Sequence, residues 1–302
     1  MSNRFVTAAA LALPIALLLT ACASGTSDTA DAGSGTATED GGVVRIGVVG
    51  AGDPYWQTYA EAAAAEGIEV EIVDFTEYTQ PNPALSAGEL DLNQFQHIVY
   101  LATYNVNADD DLQPIGATAI YPLGLYSTQY DSVADIPEGS TVIVPDDESN
   151  QARGLLVLQS AGLIELKGGG SIFSTVADVE PDSKVVVEAL DAALTPTSLP
   201  DVAAAIVNND FVEDAGLQFS DAIAQDDPAD PNALPYVNVF AARAADVDNP
   251  TYLKLVEIYQ NTQAVLDGVQ EASGNTAVLL KTPLADLAES LVTVEEDIRA
   301  NQ

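Results

Sequence analysis

The chain has 302 residues, 47% of them hydrophobic, and sets 46 Asp and Glu against 9 Lys and Arg for a formal net charge of −37. A nucleic-acid binder needs a basic surface to neutralise phosphates, and so does a protein held electrostatically on anionic lipid; this composition excludes both. One Cys and one His exclude an internal disulfide, a thiolate metal cluster and a metal site built on several imidazoles, which leaves an acidic body that works by binding or an enzyme built on carboxylates or hydroxyls.

Residues 1–22 read MSNRFVTAAALALPIALLLTAC, with Arg4 as their only charge and an apolar stretch from Phe5 to Ala21 that Pro14 interrupts. That stretch is shorter than the roughly 20 apolar residues a membrane-spanning helix needs. A short positive start, an apolar middle and small residues at the end describe a secretion signal. The ending Leu19-Thr20-Ala21-Cys22 resembles the lipobox of bacterial lipoproteins. The resemblance implies that Cys22 becomes the first mature residue and carries lipid on its sulfur and amino group; the alternative is an ordinary signal peptide with a chance Cys. Residues 23–42 are Ser, Gly, Thr, Ala and acids, with nothing to build a core, and predict a flexible tether before a folded body that begins near Val43.

Residues 43–49 (VVRIGVV) are an apolar β-branched run that predicts a buried strand. Residues 50–54 (GAGDP) predict a loop, 55–66 an Ala-rich helix, and Gly67 its stop. Residues 68–75 alternate and predict a second strand, and Pro81-Asn82-Pro83 opens a short helix that ends at Gly88. Strand–helix–strand units of this size predict an α/β fold with parallel strands. Further on, 120–126 reads as a strand interrupted at Pro122-Leu123-Gly124, 141–144 as a short strand, and 149–161 as a helix ending at Gly162. Strands are predicted at 184–188, 202–207 and 236–241, and a single helix over 250–269. There is no Walker motif, and Gly50-Ala51-Gly52 lacks the third glycine of a dinucleotide-binding turn.

Catalytic chemistry has little to stand on. There is no Gly-x-Ser-x-Gly elbow and no Cys nucleophile in the folded body, and no pair stands out among the carboxylates. His97, within NQFQH, is of a kind that is as a rule a hydrogen-bonded structural residue. Recognition has more. Residues 144–153 (VPDDESNQAR) leave a strand, cross a polar turn and enter a helix, whose first N–H groups can bind an anion. Arg153, in the first turns, can hold a carboxylate with two parallel hydrogen bonds; the alternative is a surface arginine paired with Asp147 or another acid. Tyr78, Phe95, Tyr100, Tyr121 and Tyr126 fall at strand ends or in loops. They could line a small apolar pocket, where a thioether near aromatic edges gains about 0.3–1.5 kcal/mol, or serve as ordinary core packing. Asn208 and Asn238 end or interrupt apolar strands, and a buried amide must find partners in backbone or ligand.

Residues 76–101 (TEYTQPNPALSAGELDLNQFQHIVYL) resemble the diagnostic segment of the methionine-binding lipoproteins of ABC importers, the MetQ/NlpA family. That segment is a Tyr, then Pro-Asn-x-Ala-Leu, then Gly-[DE]-[IL]-Asp-x-Asn-x-Phe-Gln-His, then Tyr-Leu. Further matches run through 120–127, 144–167, 206–217 and 236–243, so the likeness covers roughly 43–265. Three features depart from it: TPTSL at 195–199 lacks an expected arginine, the loop after the first strand carries Tyr55 and Trp56, and 275–302 extends beyond the usual end.

The resemblance implies a two-lobe periplasmic-binding-protein type fold with two hinge crossovers, preceded by the lipoprotein signal (1–22) and the tether (23–42). One lobe would comprise 43–122 and 240–302 and the other 123–239, with crossings near 121–125 and 237–240. It implies that Tyr78, Phe95, His97 and Tyr100 surround a ligand side chain, that Asn150 and Arg153 take an α-carboxylate, and that Asn208 and Asn238 hold the amino group and its polar neighbours. The implied ligand is methionine or a related amino acid, the implied partners are an ABC permease and ATPase, and the implied place is the outer side of the cell membrane, anchored through lipid on Cys22. No cofactor, metal or catalysis is implied. Alternatives are the same scaffold with D-methionine, a short peptide or another apolar amino acid, a surface enzyme, or a passive envelope protein.

Overall fold

The computed structural model describes residues 42–230 and 233–302. The signal peptide, Cys22 and all of the tether but Gly42 lie outside the described residues.

In chain order the elements are β1 (Val44–Val49), α1 (Pro54–Ala65), β2 (Val70–Phe75), α2 (Pro81–Ser86), β3 (Leu92–His97), α3 (Ile98–Ala108), β4 (Gln113–Ala117), β5 (Ala119–Ile120) and β6 (Gly124–Tyr126). They continue with β7 (Thr141–Pro145), α4 (Glu148–Ser160), β8 (Val186–Leu190), β9 (Ala204–Val207), β10 (Ala224–Gln225), β11 (Asn238–Ala242), α5 (Pro250–Asn261), α6 (Gln263–Ala272), β12 (Val278–Leu279) and α7 (Leu284–Asn301). Gly67 and Gly162 stop α1 and α4 as predicted, at φ +83° and +72°.

The strands form two five-stranded sheets, ordered β2-β1-β3-β11-β4 and β10-β6-β9-β7-β8, and a short β12-β5 pair. The sequence predicts parallel strands; the sheets are mixed. β1 runs parallel to β2 and β3, and β7 parallel to β8 and β9. β11 is antiparallel to β3 and β4, with Asn238 opposite His97 and Val239 opposite Ala117. Connectivity explains this. The chain leaves the first sheet from the C-terminal end of β4 and returns at that same end, so the returning strand must run the other way. The predicted strand over 120–126 is broken as expected: Tyr121, Pro122 and Leu123 separate β5 from β6.

Alternate residues of β1, Val44, Ile46 and Val48, pack against Trp56 and Tyr59 of α1, Leu255 and Tyr259 of α5, and Val265 and Val269 of α6. The other face is covered by Leu85 of α2, Leu101 of α3, and Leu287 and Leu291 of α7. In the second sheet Val142, Val144 and Ile206 pack on Leu155 and Leu158 of α4. A fourth cluster draws Tyr78 from the loop after β2 and Phe95 from β3 together with Ile143 and Val207 of the second sheet and Phe211 from the turn after β9.

The single helix expected over 250–269 is two helices. Thr262, extended at φ −84° and ψ 104°, separates α5 from α6. The break lets α6 lie on α1 and bury Val265 and Val269. Gly268 permits the approach, since a Cβ there would stand 2.6 Å from the Cβ of Tyr55. The segment 275–302 supplies β12 and α7.

Candidate ligand-binding site

The C-terminal ends of β2, β3, β7 and β9 and the start of β11 face one another, the usual place for a ligand in an open α/β sheet. Between them lies a cavity of about 430 Å3, counting the part open to solvent. Its lining includes Tyr78, Phe95, His97, Tyr100, Asn150, Arg153, Asn208 and Asn238, so the structure brings all eight predicted positions to one place.

β3 carries Phe95 and His97, and its local fold rests on amides. Asn93, Gln94 and Gln96 are buried, an arrangement that hydropathy alone argues against. Asn82 of α2 resolves it. Asn82 Nδ2 donates to Gln96 Oε1 at 2.7 Å, while Gln96 Nε2 and Asn93 Nδ2 donate to Asn82 Oδ1 at 2.6 and 2.9 Å. Gln94 Nε2 donates to Thr118 Oγ1 at 3.2 Å. These bonds tie α2 to β3 and hold Phe95 and His97 in register.

The apolar side of the cavity is aromatic. Tyr78, Phe95 and Tyr100 stand with ring centroids 5.7–6.0 Å apart, two of the three pairs edge-to-face. Phe211, which sequence reading misses, lies 5.1 Å from Tyr78. Tyr121 also lines the cavity, but Tyr126 does not: it is packed into the core between the sheets.

The polar side centres on Arg153. Its side chain is 7% exposed, and its partner is Asp226 rather than Asp147, with Nε donating to Asp226 Oδ2 at 2.6 Å. Nη2 donates to the Tyr121 carbonyl at 2.8 Å, and the guanidinium lies 4.5 Å over the Tyr236 ring. Asp226 also accepts the Leu123 N–H at 2.8 Å, so Arg153 is coupled to the crossing segment 121–123. The helix start expected to bind an anion already holds one of its own: Asp147 caps α4, accepting the Asn150 N–H at 2.9 Å and, shared between its two oxygens, the Asn150 Nδ2 at 3.0 and 3.1 Å. Asp226 and Tyr236 carry no motif signal; only the fold places them at Arg153.

The polar and aromatic sides are joined by a hydrogen-bonded chain. Asn150 Oδ1 accepts from Asn208 Nδ2 at 3.0 Å and lies 3.2 Å from His97 Nε2. His97 Nδ1 accepts the Tyr100 N–H at 3.1 Å and so caps α3. With Nδ1 an acceptor, the proton sits on Nε2 and is donated to Asn150. Burial, reinforced by the Arg153 charge, lowers the His97 pKa to about 3. His97 is the only histidine, so the expected result is direct: with the cavity closed around it, its ring nitrogens keep the shifts of the neutral Nε2–H form from pH 8 down to pH 4.5 in 15N NMR. Asn208 Oδ1 is buried without a protein partner, which leaves one acceptor for a ligand N–H.

Asp210 also lines the cavity and was not legible in the sequence. It accepts the Tyr78 hydroxyl at 2.8 Å. Burial, with Asp210 close by, keeps the Tyr78 phenol well above its ordinary range, so it stays a donor. Among the described residues no cluster of three or more His, Cys, Asp and Glu is arranged to hold a metal ion.

Residues 44–279 match the sequence model of the NlpA lipoprotein family. The chain belongs to the NlpA lipoprotein family. Among its NlpA-family relatives, Outer membrane lipoprotein 2 of Mannheimia haemolytica is 34% identical over 270 residues, covering 87% of this chain and 95% of that one. The D-methionine-binding lipoprotein MetQ of Yersinia pestis is 36% identical over 242 residues, covering 78% and 87%. The structure of a nutrient binding protein from Burkholderia cenocepacia bound to methionine is similar at a TM-score of 0.72 and 37% identity, covering 78% of this chain and 99% of that one.

Proposed function

We propose that this NlpA-family protein is a lipid-anchored substrate-binding protein that captures free methionine outside the cytoplasmic membrane and delivers it to an ABC permease and its ATPase. One observation carries the reading: a buried arginine, an unpartnered carboxamide oxygen and a three-ring aromatic wall share a single cavity. A zwitterion taken out of water needs a cation at one end and acceptors at the other. Arg153, with Asn150 beside it, serves the α-carboxylate, and Asn208 and Asn238 serve the ammonium end. Tyr78, Phe95 and Tyr100 enclose a thioether side chain, and His97 stays neutral so that it adds no second charge.

The lobes are 43–122 with 240–302, and 123–239. They are linked by crossings at 121–125 and 237–240 that allow closure on the ligand. The anchor is lipid on Cys22. The protein binds and releases its ligand without transforming it.

Titration calorimetry with L-methionine should give one saturable site. Absence of heat with either enantiomer overturns the ligand. The D-methionine-binding relative from Yersinia pestis favours D-methionine as the second reading, and tighter binding of the D-form would select it.

A further inference from the structure

At the mouth of the cleft, the 3-10 turn Asn209–Phe211 after β9 forms a wall between the ligand cavity and a wider opening of about 1,530 Å3. The bond from Tyr78 to Asp210 crosses from the loop after β2 to this turn, and so from one sheet's side to the other. Asp53, at the start of α1, faces Asp210, Glu213 and Asp214 over the same opening. Asp74 lines it too, its Oδ1 accepting the Ala51 N–H at 3.0 Å. Among the described residues no Lys, Arg or His lines this opening. The remaining titratable groups nearby are the phenols of Tyr55, Tyr121 and Tyr259 around Asp53, Tyr100 and Asp147 near Tyr78, and His97 and Arg153, which line the ligand cavity with Asp210.

We propose that Asp53 and Asp210 make closure of the lobes on ligand a proton-taking step, and that Asp210 is in addition a positioning residue that sets the Tyr78 ring through its hydrogen bond. This rests on the cavity being a ligand site between closing lobes. Closure brings carboxylates from opposite walls together and withdraws them from water, and both effects disfavour the charged form. Burial first, and then the facing acids, raise Asp53 to about 7; burial raises Asp210 to about 6. With the walls apart, both face water, where a carboxyl titrates near 4. Between those limits the closed form binds more protons than the open one, so affinity rises as pH falls. The window runs from about pH 4 to about pH 7. His97, neutral in the closed cleft, returns toward the ordinary imidazole value of about 6.5 when the walls part, so it gives up a proton on closure and offsets part of the uptake.

The test is L-methionine calorimetry in buffers of different ionisation heat. At pH 6.5 the protein should take up about half a proton per ligand, and Kd should rise on the order of threefold from pH 6 to pH 7. The double variant Asp53→Asn, Asp210→Asn should take up none, give up protons from His97 instead so that its Kd falls from pH 6 to pH 7, and bind more tightly than wild type at pH 8. Asp210→Asn keeps an acceptor for Tyr78, whereas Asp210→Ala does not, so the alanine variant should bind more weakly than the asparagine variant at every pH. A pH-independent wild-type Kd, or a double variant that keeps the wild-type slope, overturns the proton-taking step. Equal affinities for the two Asp210 variants overturn the positioning role. If methionine gives no heat at any pH, the ligand reading falls instead. The proton-taking step is then judged on the protein alone by small-angle scattering, where no contraction from pH 8 to pH 5.5 overturns it.

Discussion

Replacing Arg153 with alanine should weaken methionine binding by about 2–5 kcal/mol, on the order of 30-fold to several-thousand-fold in Kd. The guanidinium is almost wholly withdrawn from solvent, and two of its nitrogens are committed within the protein, to Asp226 and to the Tyr121 carbonyl. Those bonds aim the group and hold its charge at the cavity. The substitution removes the cation that a ligand carboxylate needs in a desolvated site, and strips Asp226 of its ionic partner. Some loss of thermal stability should accompany it, moderated because Asp226 is 26% exposed and retains the Leu123 N–H. Calorimetry on Arg153→Ala, and on Arg153→Ala with Asp226→Asn, separates the two effects. The double variant should recover stability without recovering affinity. Arg153→Lys keeps a charge but not the planar fork, and should fall between wild type and alanine. An alanine variant that binds as well as wild type removes Arg153 from the site.

Ending the chain at Pro283 should abolish cooperative folding or lower the melting temperature by well over ten degrees. Helix α7 buries Leu287, Leu291, Val294 and Ile298 against α3 and the face of the first sheet. Each such side chain is worth roughly 1.5–3 kcal/mol, and a whole domain holds only about 5–15 kcal/mol of net stability. Removal also uncovers Ile98, Leu101 and Ala102 of α3, the helix that carries Tyr100 and is capped by His97. Asn105, which donates to Glu295 of α7 at 2.9 Å, loses that partner as well. Thermal unfolding by circular dichroism measures the effect. A truncated chain that melts with wild type would show that α7 is dispensable.

Much of the architecture follows from local chemistry. Apolar runs make β1 and β9, alternation makes β2, and glycines forced to positive φ end α1 and α4. These signals survive because each depends only on neighbours a few residues away. The eight cavity positions were found through a motif, which keeps the order and spacing of contact residues without saying how they meet. β3 escaped the hydropathy pattern because it is buried with three amides in it, stable only because Asn82 and Thr118 come from elsewhere to bond them.

What neighbours along the chain cannot specify is which distant groups meet. The identity of the Arg153 counter-ion is one case: Asp226 is 73 positions away, while the sequence-near Asp147 turns instead to cap its own helix. The bond from Tyr78 to Asp210 spans 132 positions, and the split of 250–269 at Thr262 is set by the need to seat α6 on α1. A backbone conformation is chosen by short-range sterics and can be read residue by residue. The partner of a buried charge is chosen by whichever group the packed sheets bring within 3 Å.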